Sequence, residues 1–138
     1  MTAPPTPFNS GDPVNIGFGG DTVTLVEGAT FCLSDGCGDV LAGRSHGLFV
    51  RDARVLSRWE LQVDGQPAEP LSVQAPQPFV AKFILRRSPR AGLADSTLLL
   101  VRERLIADGL RETISLHNLD DESTVVALML HADADFAD

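Results

Sequence analysis

The sequence predicts an all-β protein, an antiparallel β-sandwich that follows a disordered N-terminal arm. Short runs rich in Val, Leu, Ile and Thr recur along the chain, and turn dipeptides separate them. Several runs alternate apolar and polar residues with the period of two that is typical of a half-buried strand. No run has the 3.6-residue apolar stripe and the capping residues of a helix, which predicts a low helix content.

The length and composition fit one domain with an arm in front of it. The chain has 138 residues, of which 43% are hydrophobic and 22% charged, and this is enough to bury a single core. Residues 1–21 differ from the rest because they are rich in Pro and Gly. Such a composition buries too little apolar surface to offset the entropy of ordering. We therefore predict a flexible arm over residues 1–21 and the sandwich over residues 22–138.

Nine runs are predicted to be strands. In the clearest of them Trp59, Leu61 and Val63 alternate with polar residues, and Asp64-Gly65 then closes the strand with a hairpin-type turn. The nine predicted strands are Val23 to Val26, Thr30 to Leu33, Gly47 to Val50, Val55 to Val63, Leu71 to Val73, Phe79 to Leu85, Thr97 to Ala107, Leu110 to Asn118, and Thr124 to Ala132.

The hairpin from Thr97 to Asn118 has the strongest local signal. Asp108-Gly109 predicts a type I′ turn, because both central positions of that turn favour Asn, Asp or Gly. After the turn Glu112, Ile114 and Leu116 fall on one face of the strand, and their polar neighbours fall on the other. The pattern therefore predicts a dry face and a wet face for this strand.

Charge and hydropathy exclude two classes of partner. The formal net charge is -8 and the pI about 4.7, which argues against nucleic acid, since phosphate binding depends on clustered Lys and Arg. The longest apolar run, Val125 to Leu130, is far below the roughly 20 residues of a membrane span, so no membrane partner is predicted. The N-terminus has no basic start and no apolar stretch, and we expect a cytoplasmic protein.

Cysteine and histidine spacing gives no cofactor or metal site. Cys32 and Cys37 lie five positions apart across a turn, and without a secretory signal two free thiols are favoured over a disulfide. His46, His117 and His131 are scattered, without the paired spacing of zinc ligands. We therefore expect neither a metal ion nor another cofactor.

The segment from Arg86 to Ala94, RRSPRAGLA, is predicted to be an exposed basic loop. It carries Arg86, Arg87 and Arg90 on an otherwise acidic domain. A solvated loop and a docking surface for an acidic neighbouring domain are both compatible with this pattern.

One stretch, GLFVRDARVLSRWELQVDG at residues 47–65, carries a resemblance. The GLFxRDxR element and the strand that ends in Asp64-Gly65 resemble the N-terminal domain of the bacterial glycogen debranching enzyme family, often named amylo-alpha-1,6-glucosidase. Asn118 and the run DADFAD at 133–138 resemble the end of that domain. The resemblance covers Val23 to Asp138, and it departs from the family pattern at Ala53, where we expect Thr.

The resemblance implies a sandwich of the supersandwich type and an accessory role. In that family a larger helical toroid of the glucoamylase type follows the β domain and carries the catalytic acid and base. The partners implied are that C-terminal helical catalytic domain and, through it, an α-glucan or oligosaccharide. The 138-residue chain is then expected to be cut from a longer glycoside hydrolase of the amylo-alpha-1,6-glucosidase type and to be inactive alone.

Two groups of residues are candidates for a site. Arg51, Asp52 and Arg54 suit sugar hydroxyls or interdomain ion pairs, because guanidinium forks and a carboxylate bind both; alternatively, Asp52 and Arg54 lock their own turn. Asp133 and Asp135 share a strand face at a spacing of about 6.5 to 7 Å, which glycoside hydrolysis accepts. A solvated strand end explains the same pair without catalysis.

An autonomous carbohydrate-binding or protein-interaction module is the alternative to the accessory domain. Sugar-binding sandwiches usually expose several Trp or Tyr side chains as stacking platforms. This chain has one Trp and no Tyr, and Trp59 falls on the predicted dry face. The composition therefore favours the accessory domain.

Overall fold

A computed structural model describes residues 22–89 and 97–136. These residues form eleven strands in three antiparallel sheets and no helix, which confirms the all-β prediction. None of them therefore belongs to a helix long and apolar enough to cross a membrane. The arm predicted at residues 1–21 lies outside the described residues.

The strands are numbered in chain order, and their lengths range from two to nine residues. They are β1 (Val23–Glu27), β2 (Thr30–Ser34), β3 (Gly47–Val50), β4 (Ala53–Leu56), β5 (Arg58–Val63), β6 (Gln66–Pro67), β7 (Glu69–Gln77), β8 (Val80–Arg86), β9 (Leu98–Ile106), β10 (Leu110–Asn118) and β11 (Leu128–Asp133).

Two layers make up the sandwich. The sheet with strand order β10-β9-β8-β7 forms one layer, and the sheets β1-β2-β3-β4 and β11-β5-β6 form the other. The latter two sheets are joined because only Ser57 separates β4 from β5, and because Val40 forms a bridge with Trp59. Strands β1 and β2 pack on β9 across the interior. The core thus lies between β8 and β9 on one side and β1, β2 and β5 on the other.

Alternating residues of these strands fill the core. On β8 the side chains of Ala81, Phe83 and Leu85 are buried, and those between them are half-buried. On β5, Leu61 and Val63 are buried, as the sequence alternation predicts. Each large apolar side chain buried in this way stabilises the fold by roughly 1.5 to 3 kcal/mol.

The run Val55 to Val63, predicted as one strand, is two strands. The chain leaves the first sheet at Leu56 and enters another at Arg58, after an irregularity in the β3–β4 register. The amide of Ser57 donates to the carbonyl of Asp133, 2.8 Å away, at the crossing point. Sequence alternation does not show which sheet a strand joins, so it predicts one strand where the structure has two.

Strand β7 is much longer than the predicted Leu71 to Val73. It covers Glu69–Gln77 because β8 provides a partner along most of its length. Pro70 and Pro76 lie inside it, although proline lacks the amide that a central strand needs. Both are tolerated because β7 is an edge strand whose other side has no ladder to satisfy.

The two turns predicted from Asp-Gly pairs have different outcomes. Asp64 and Gly65 have φ values of 54° and 78°, so the turn between β5 and β6 has the predicted left-handed geometry. The β9–β10 hairpin is also present, but Ile106 pairs with Leu110 across a three-residue connection. Neither Asp108 nor Gly109 has a positive φ, so the predicted type I′ turn is wrong.

The structure describes the first four residues of the predicted basic loop, 86–89, and the other five lie outside the described residues. Arg86 ends β8 and pairs with Glu69 at 2.9 Å, whereas Arg90 lies outside the described residues. Arg87 is buried and donates to the hydroxyl of Thr124 at 3.1 Å and to the carbonyl of Val125 at 3.2 Å. Arg87 is therefore committed to the interior of the domain, whereas the side chain of Arg86 is partly exposed. Residues 124–127, predicted as strand, are instead held by Arg87 ahead of β11.

The packing of Gly38 gives a testable prediction. Its φ is +86°, and an added Cβ would lie 3.0 Å from Cδ2 of Phe83. Gly43 has a similar φ of +80° but open space around it, so Gly43→Ala isolates the backbone cost of roughly 1 to 2 kcal/mol. We expect Gly38→Ala to lower the free energy of unfolding, measured by chemical denaturation, by a further 1 to 3 kcal/mol or so. Equal losses would contradict the close packing of Gly38.

Candidate functional site

The Arg51-Asp52 pair forms the tip of the β3–β4 hairpin. Val50 pairs with Ala53, and the two residues between them have φ values of 50° and 70°, which is the geometry of a type I′ turn. Arg is an unfavourable residue there, since the left-handed region costs roughly 1 to 2 kcal/mol outside Gly, Asn and Asp. The segment is a tight turn that presents both side chains to solvent.

An open cleft of about 370 Å³ lies beside this turn, between the tips of three hairpins. The backbone amide of Arg51 donates to the carbonyl of Ala29 at 3.2 Å, which fixes two of these tips relative to each other. Arg51, Glu27 and Asp108 give the cleft one positive and two negative groups. Hydroxyl groups of a ligand could pair with such a lining. The lining residues are Glu27, Gly28, Ala29, Thr30, Val50, Arg51, Ala107 and Asp108.

Arg54 makes different contacts from its neighbours Arg51 and Asp52. Its guanidinium forms an ion pair with the carboxylate of Asp135, with Nε 3.2 Å from both oxygens. Its alkyl chain passes over Gly47, where an added Cβ would lie 2.6 Å from Cδ of Arg54. Asp52 has no ion-pair or hydrogen-bond partner among residues 22–89 and 97–136. The expected lock between Asp52 and Arg54 is therefore replaced by a link from Arg54 to Asp135.

Asp133 and Asp135 do not lie in one regular strand. Asp133 ends β11, and Asp135 lies two residues beyond it, where its carboxylate pairs with Arg54. The ion pair with Arg54 occupies the carboxylate of Asp135, whereas a general acid must be free to reach the sugar. The pair is therefore a poor arrangement for acid and base catalysis.

A cluster of buried charges, which the sequence did not indicate as a site, lies between the layers. Arg102 and Arg104 on β9 are fully buried, and the side chain of Glu112 on β10 is only 2% exposed. Asp39, in the connection between β2 and β3, completes the cluster. Two guanidinium and two carboxylate groups make it neutral overall. We call these four residues the buried charge cluster.

Each charge in the cluster has a close partner. Arg102 donates to Oδ1 of Asp39 at 2.7 Å and to Oε2 of Glu112 at 3.1 Å. Arg104 donates to Oε1 of Glu112 at 2.8 Å through Nε. The indole of Trp59 donates to Oε2 of Glu112 at 3.1 Å, so the single Trp binds across the interior. Nη2 of Arg102 is the one buried nitrogen of the cluster without a hydrogen-bond partner.

The two carboxyl groups of the cluster have pKa values shifted in opposite directions. Burial alone would raise the pKa of Glu112, but Arg104 and Arg102 together outweigh it and lower the pKa below its ordinary value. Burial is the larger effect at Asp39 and raises its pKa, although Arg102 opposes the shift. Glu112 is therefore the firmly ionised member. Because the cluster is closed to solvent, its chemistry is that of a structural cross-link between layers.

The cysteines are not poised as nucleophiles. Both are free thiols, and Cys32 is buried. Burial, with the negative charges of Asp35 and Asp39, raises the pKa of Cys37 to about 12, and burial also raises that of Cys32. Both thiols stay protonated near neutral pH. Within residues 22–89 and 97–136, no group of three or more His, Cys, Asp and Glu side chains is placed to hold a metal ion.

These observations define an all-β domain in which the ion pairs of the buried charge cluster hold the two layers together. A family model described as the N-terminal domain of some glycogen debranching enzymes matches residues 25–138, and the chain belongs to this family. The resemblance drawn from the sequence is thereby confirmed. Comparisons with curated proteins and with solved structures gave no match.

The buried charge cluster predicts a large effect of one conservative substitution. Glu112→Gln keeps the shape of the side chain but leaves two buried guanidinium groups with too little negative charge. We expect a loss of about 3 to 5 kcal/mol in the free energy of unfolding, measured by urea denaturation. Glu103→Gln is the matched control on the outer face of β9, where its half-exposed pair with Lys82 should cost less than about 1 kcal/mol. Similar losses would contradict the cross-link.

The lowered pKa of Glu112 also predicts a pH dependence. A carboxyl group whose pKa is lower in the folded state stabilises the fold above its unfolded value, near 4.5, and loses this effect as pH falls through the folded value. The difference in unfolding free energy between wild type and Glu112→Gln should therefore be constant near pH 7 and shrink below about pH 4.5. Asp39 is common to both proteins and largely cancels. A difference that grows on acidification would show the opposite pKa shift.

Proposed function

We propose that this chain is a non-catalytic accessory domain of a debranching-type glycoside hydrolase, packing on a helical (α/α) catalytic barrel and shaping its substrate cleft. Membership of a family of debranching-enzyme N-terminal domains supports the proposal most directly. The parent activity is of the amylo-alpha-1,6-glucosidase type, acting on an α-glucan or a branched oligosaccharide. A cytoplasmic location is part of the proposal.

Several acidic side chains are held in ion pairs, and this supports a non-catalytic role. Glu112 and Asp39 are held by buried arginines, and Asp135 is held by Arg54. A glycoside hydrolase needs one protonated and one ionised carboxyl group that both reach the same sugar. The candidate pair Asp133 and Asp135 has one member committed to an ion pair. The chemistry is therefore assigned to another domain.

The hairpin tip is where this domain would contribute to a substrate cleft. Arg51 and Asp52 occupy a turn that costs backbone energy, and strain of this kind is often retained at functional sites. Their side chains are exposed beside the cleft lined by Glu27 and Asp108. Arg54 acts differently, because its bond to Asp135 positions the end of the described chain. We assign sugar or interdomain contact to Arg51 and Asp52, and a positioning role to Arg54.

An autonomous carbohydrate-binding module has less support. The indole of Trp59 binds Glu112 in the interior and is not a stacking platform. Phe31 and Phe49 stack on each other, with ring centroids 4.7 Å apart and planes within 10°, so the facing sides of the two rings are closed to a sugar.

The first experiment tests for activity in the chain itself. Because Asp135 of the candidate pair Asp133 and Asp135 is held by Arg54, the purified 138-residue protein should release no reducing sugar from glycogen, limit dextrin or an α-1,6-branched oligosaccharide. A positive control is a debranching enzyme of the same family assayed in parallel. Hydrolysis that is lost in Asp133→Asn or Asp135→Asn would refute the accessory role.

The second experiment tests the hairpin tip. The catalytic portion of a debranching enzyme of this family is assayed with and without the 138-residue chain, which we expect to bind it and to lower the KM for a branched oligosaccharide. Asp52→Asn and Arg51→Asn keep a residue suited to the left-handed turn, so their unfolding free energy should change by less than about 0.5 kcal/mol. The loss of charge-assisted hydrogen bonds should raise the KM of the mixture about tenfold.

The control for the hairpin-tip experiment is Glu103→Gln, which removes one charge from the outer face of β9. It should leave the KM unchanged. A KM that is equally insensitive to Arg51, Asp52 and Glu103 would remove the tip residues from the substrate cleft.

A further inference from the structure

Within residues 22–89 and 97–136, the side of the sandwich between β10 and β11 is incompletely covered. Leu116, Leu128 and Leu130 are each 41% exposed, although all three occupy inward-facing positions. Leu128 pairs with Val63 and Leu130 with Leu61, and both of these partners are almost fully buried. The exposed leucines thus continue the core outward to the open side of the molecule. A core that reaches solvent in this way leaves apolar surface for another element to cover.

Backbone groups along β11 are open on the same side. Strand β11 pairs with β5 alone and forms the edge of its sheet. The amide and carbonyl of Trp59 bond to Val40, away from β11, whereas the amide of Asp64 bonds to the carbonyl of Ala127 at 2.8 Å. Because the bonding direction alternates along an antiparallel strand, the N–H and C=O groups of Leu128 and Leu130 face the open edge.

This edge lacks the features that usually prevent strand addition. Such edges are commonly blocked by proline, by a lysine or by an inward-pointing charge. Strand β11, with the sequence LMLHAD, has apolar residues at both inward positions from 128 to 130 and no proline or lysine. Its free side is therefore a template for a further strand.

Charge around the edge restricts the partner. Residues 116–136 contain five acidic residues and no Lys or Arg. They are Asp120, Asp121, Glu122, Asp133 and Asp135. A second copy of this chain carries the same net charge of -8, and repulsion between two such chains disfavours self-association, although Arg54 pairs with Asp135 at one end of the strand. A segment with basic flanks would meet opposite charges.

We propose that β11 accepts an added β-strand with alternating apolar residues and flanking Lys or Arg, supplied by the portion of a debranching enzyme that lies beyond its N-terminal domain. The added strand pairs with the open N–H and C=O groups of Leu128 and Leu130. Its apolar side chains cover Leu116, Leu128 and Leu130 and complete the sandwich. This interaction rests on the proposed function, since it names the surface by which the accessory domain joins the rest of the enzyme.

The test uses the 138-residue chain and the separately expressed remainder of a debranching enzyme of the same family. Binding is measured by titration calorimetry for wild type, Leu128→Lys and Leu130→Lys. Each lysine places an inward-pointing charge at the edge, and we expect Kd to rise at least about tenfold. Leu105→Lys is the control, since Leu105 is similarly exposed but lies on the outer face of β9; its Kd should stay within about twofold of wild type.

Hydrogen exchange in the same complex locates the contact. The amides of Leu128 and Leu130 should exchange at least about tenfold more slowly in the complex than in the free chain. Amides in the β1–β2 turn should be unaffected. Raising the salt concentration from 0.1 to 0.5 M should weaken binding, because the flanking charges are exposed.

The possible results distinguish a failure of the strand addition at β11 from a failure of the proposed accessory role. No complex with the remainder of the enzyme would overturn both this inference and the proposed function. A complex that tolerates Leu128→Lys and Leu130→Lys, without protection at β11, would overturn the strand addition and leave the accessory role standing. Dimers of the 138-residue chain, detected by sedimentation and abolished by Leu130→Lys, would make a second copy the occupant and refute the partner proposed here.

Discussion

Two guanidinium groups, those of Arg102 and Arg104, lie between the layers of the sandwich, and the fold depends on their neutralisation. Glu112 binds both from the neighbouring strand, and Asp39 binds Arg102 from the connection between β2 and β3. Arg104 also packs over the ring of Phe83, 5.0 Å from its centroid. Removing a charge from water costs several kcal/mol, so the cluster is favourable only with all its partners in place. Such a requirement fixes how the layers face each other.

The cluster also positions uncharged backbone groups. Carbonyls of Cys37 and Gly38 accept from the buried arginines, and the carboxylate of Asp39 accepts from the amide of Leu61. The irregular connection after β2 is thereby held against β5 and β9. The hairpin tips beside the cleft and the exposed leucines of β10 and β11 take no part in these hydrogen bonds. The accessory role and the strand addition that we propose concern these two regions.

The GLFVRDAR element combines two separate tasks. Gly47 gives room to the alkyl chain of Arg54, whose guanidinium holds Asp135 beyond the end of β11. Arg51 and Asp52 take up the strained turn and point into solvent. One part of the motif thus fastens the chain near the open edge, while the other presents charge at the hairpin tip. Four residues of a single hairpin thus act on both regions.

The sequence by itself determined the all-β class, the alternation of β5 and β10, the Asp64-Gly65 turn and the family, because each depends on neighbours along the chain. It did not determine the break at Ser57, the length of β7 or the partner of Arg54, since each depends on which distant strand lies alongside. The buried charge cluster is the clearest case. Arg102 and Arg104 share the alternation of Leu98, Leu100 and Ile106 and could have been placed inward, but only the tertiary structure brings Glu112 and Asp39 to them. A buried charge is stable only with its counter-charge, and that partner is chosen by the fold.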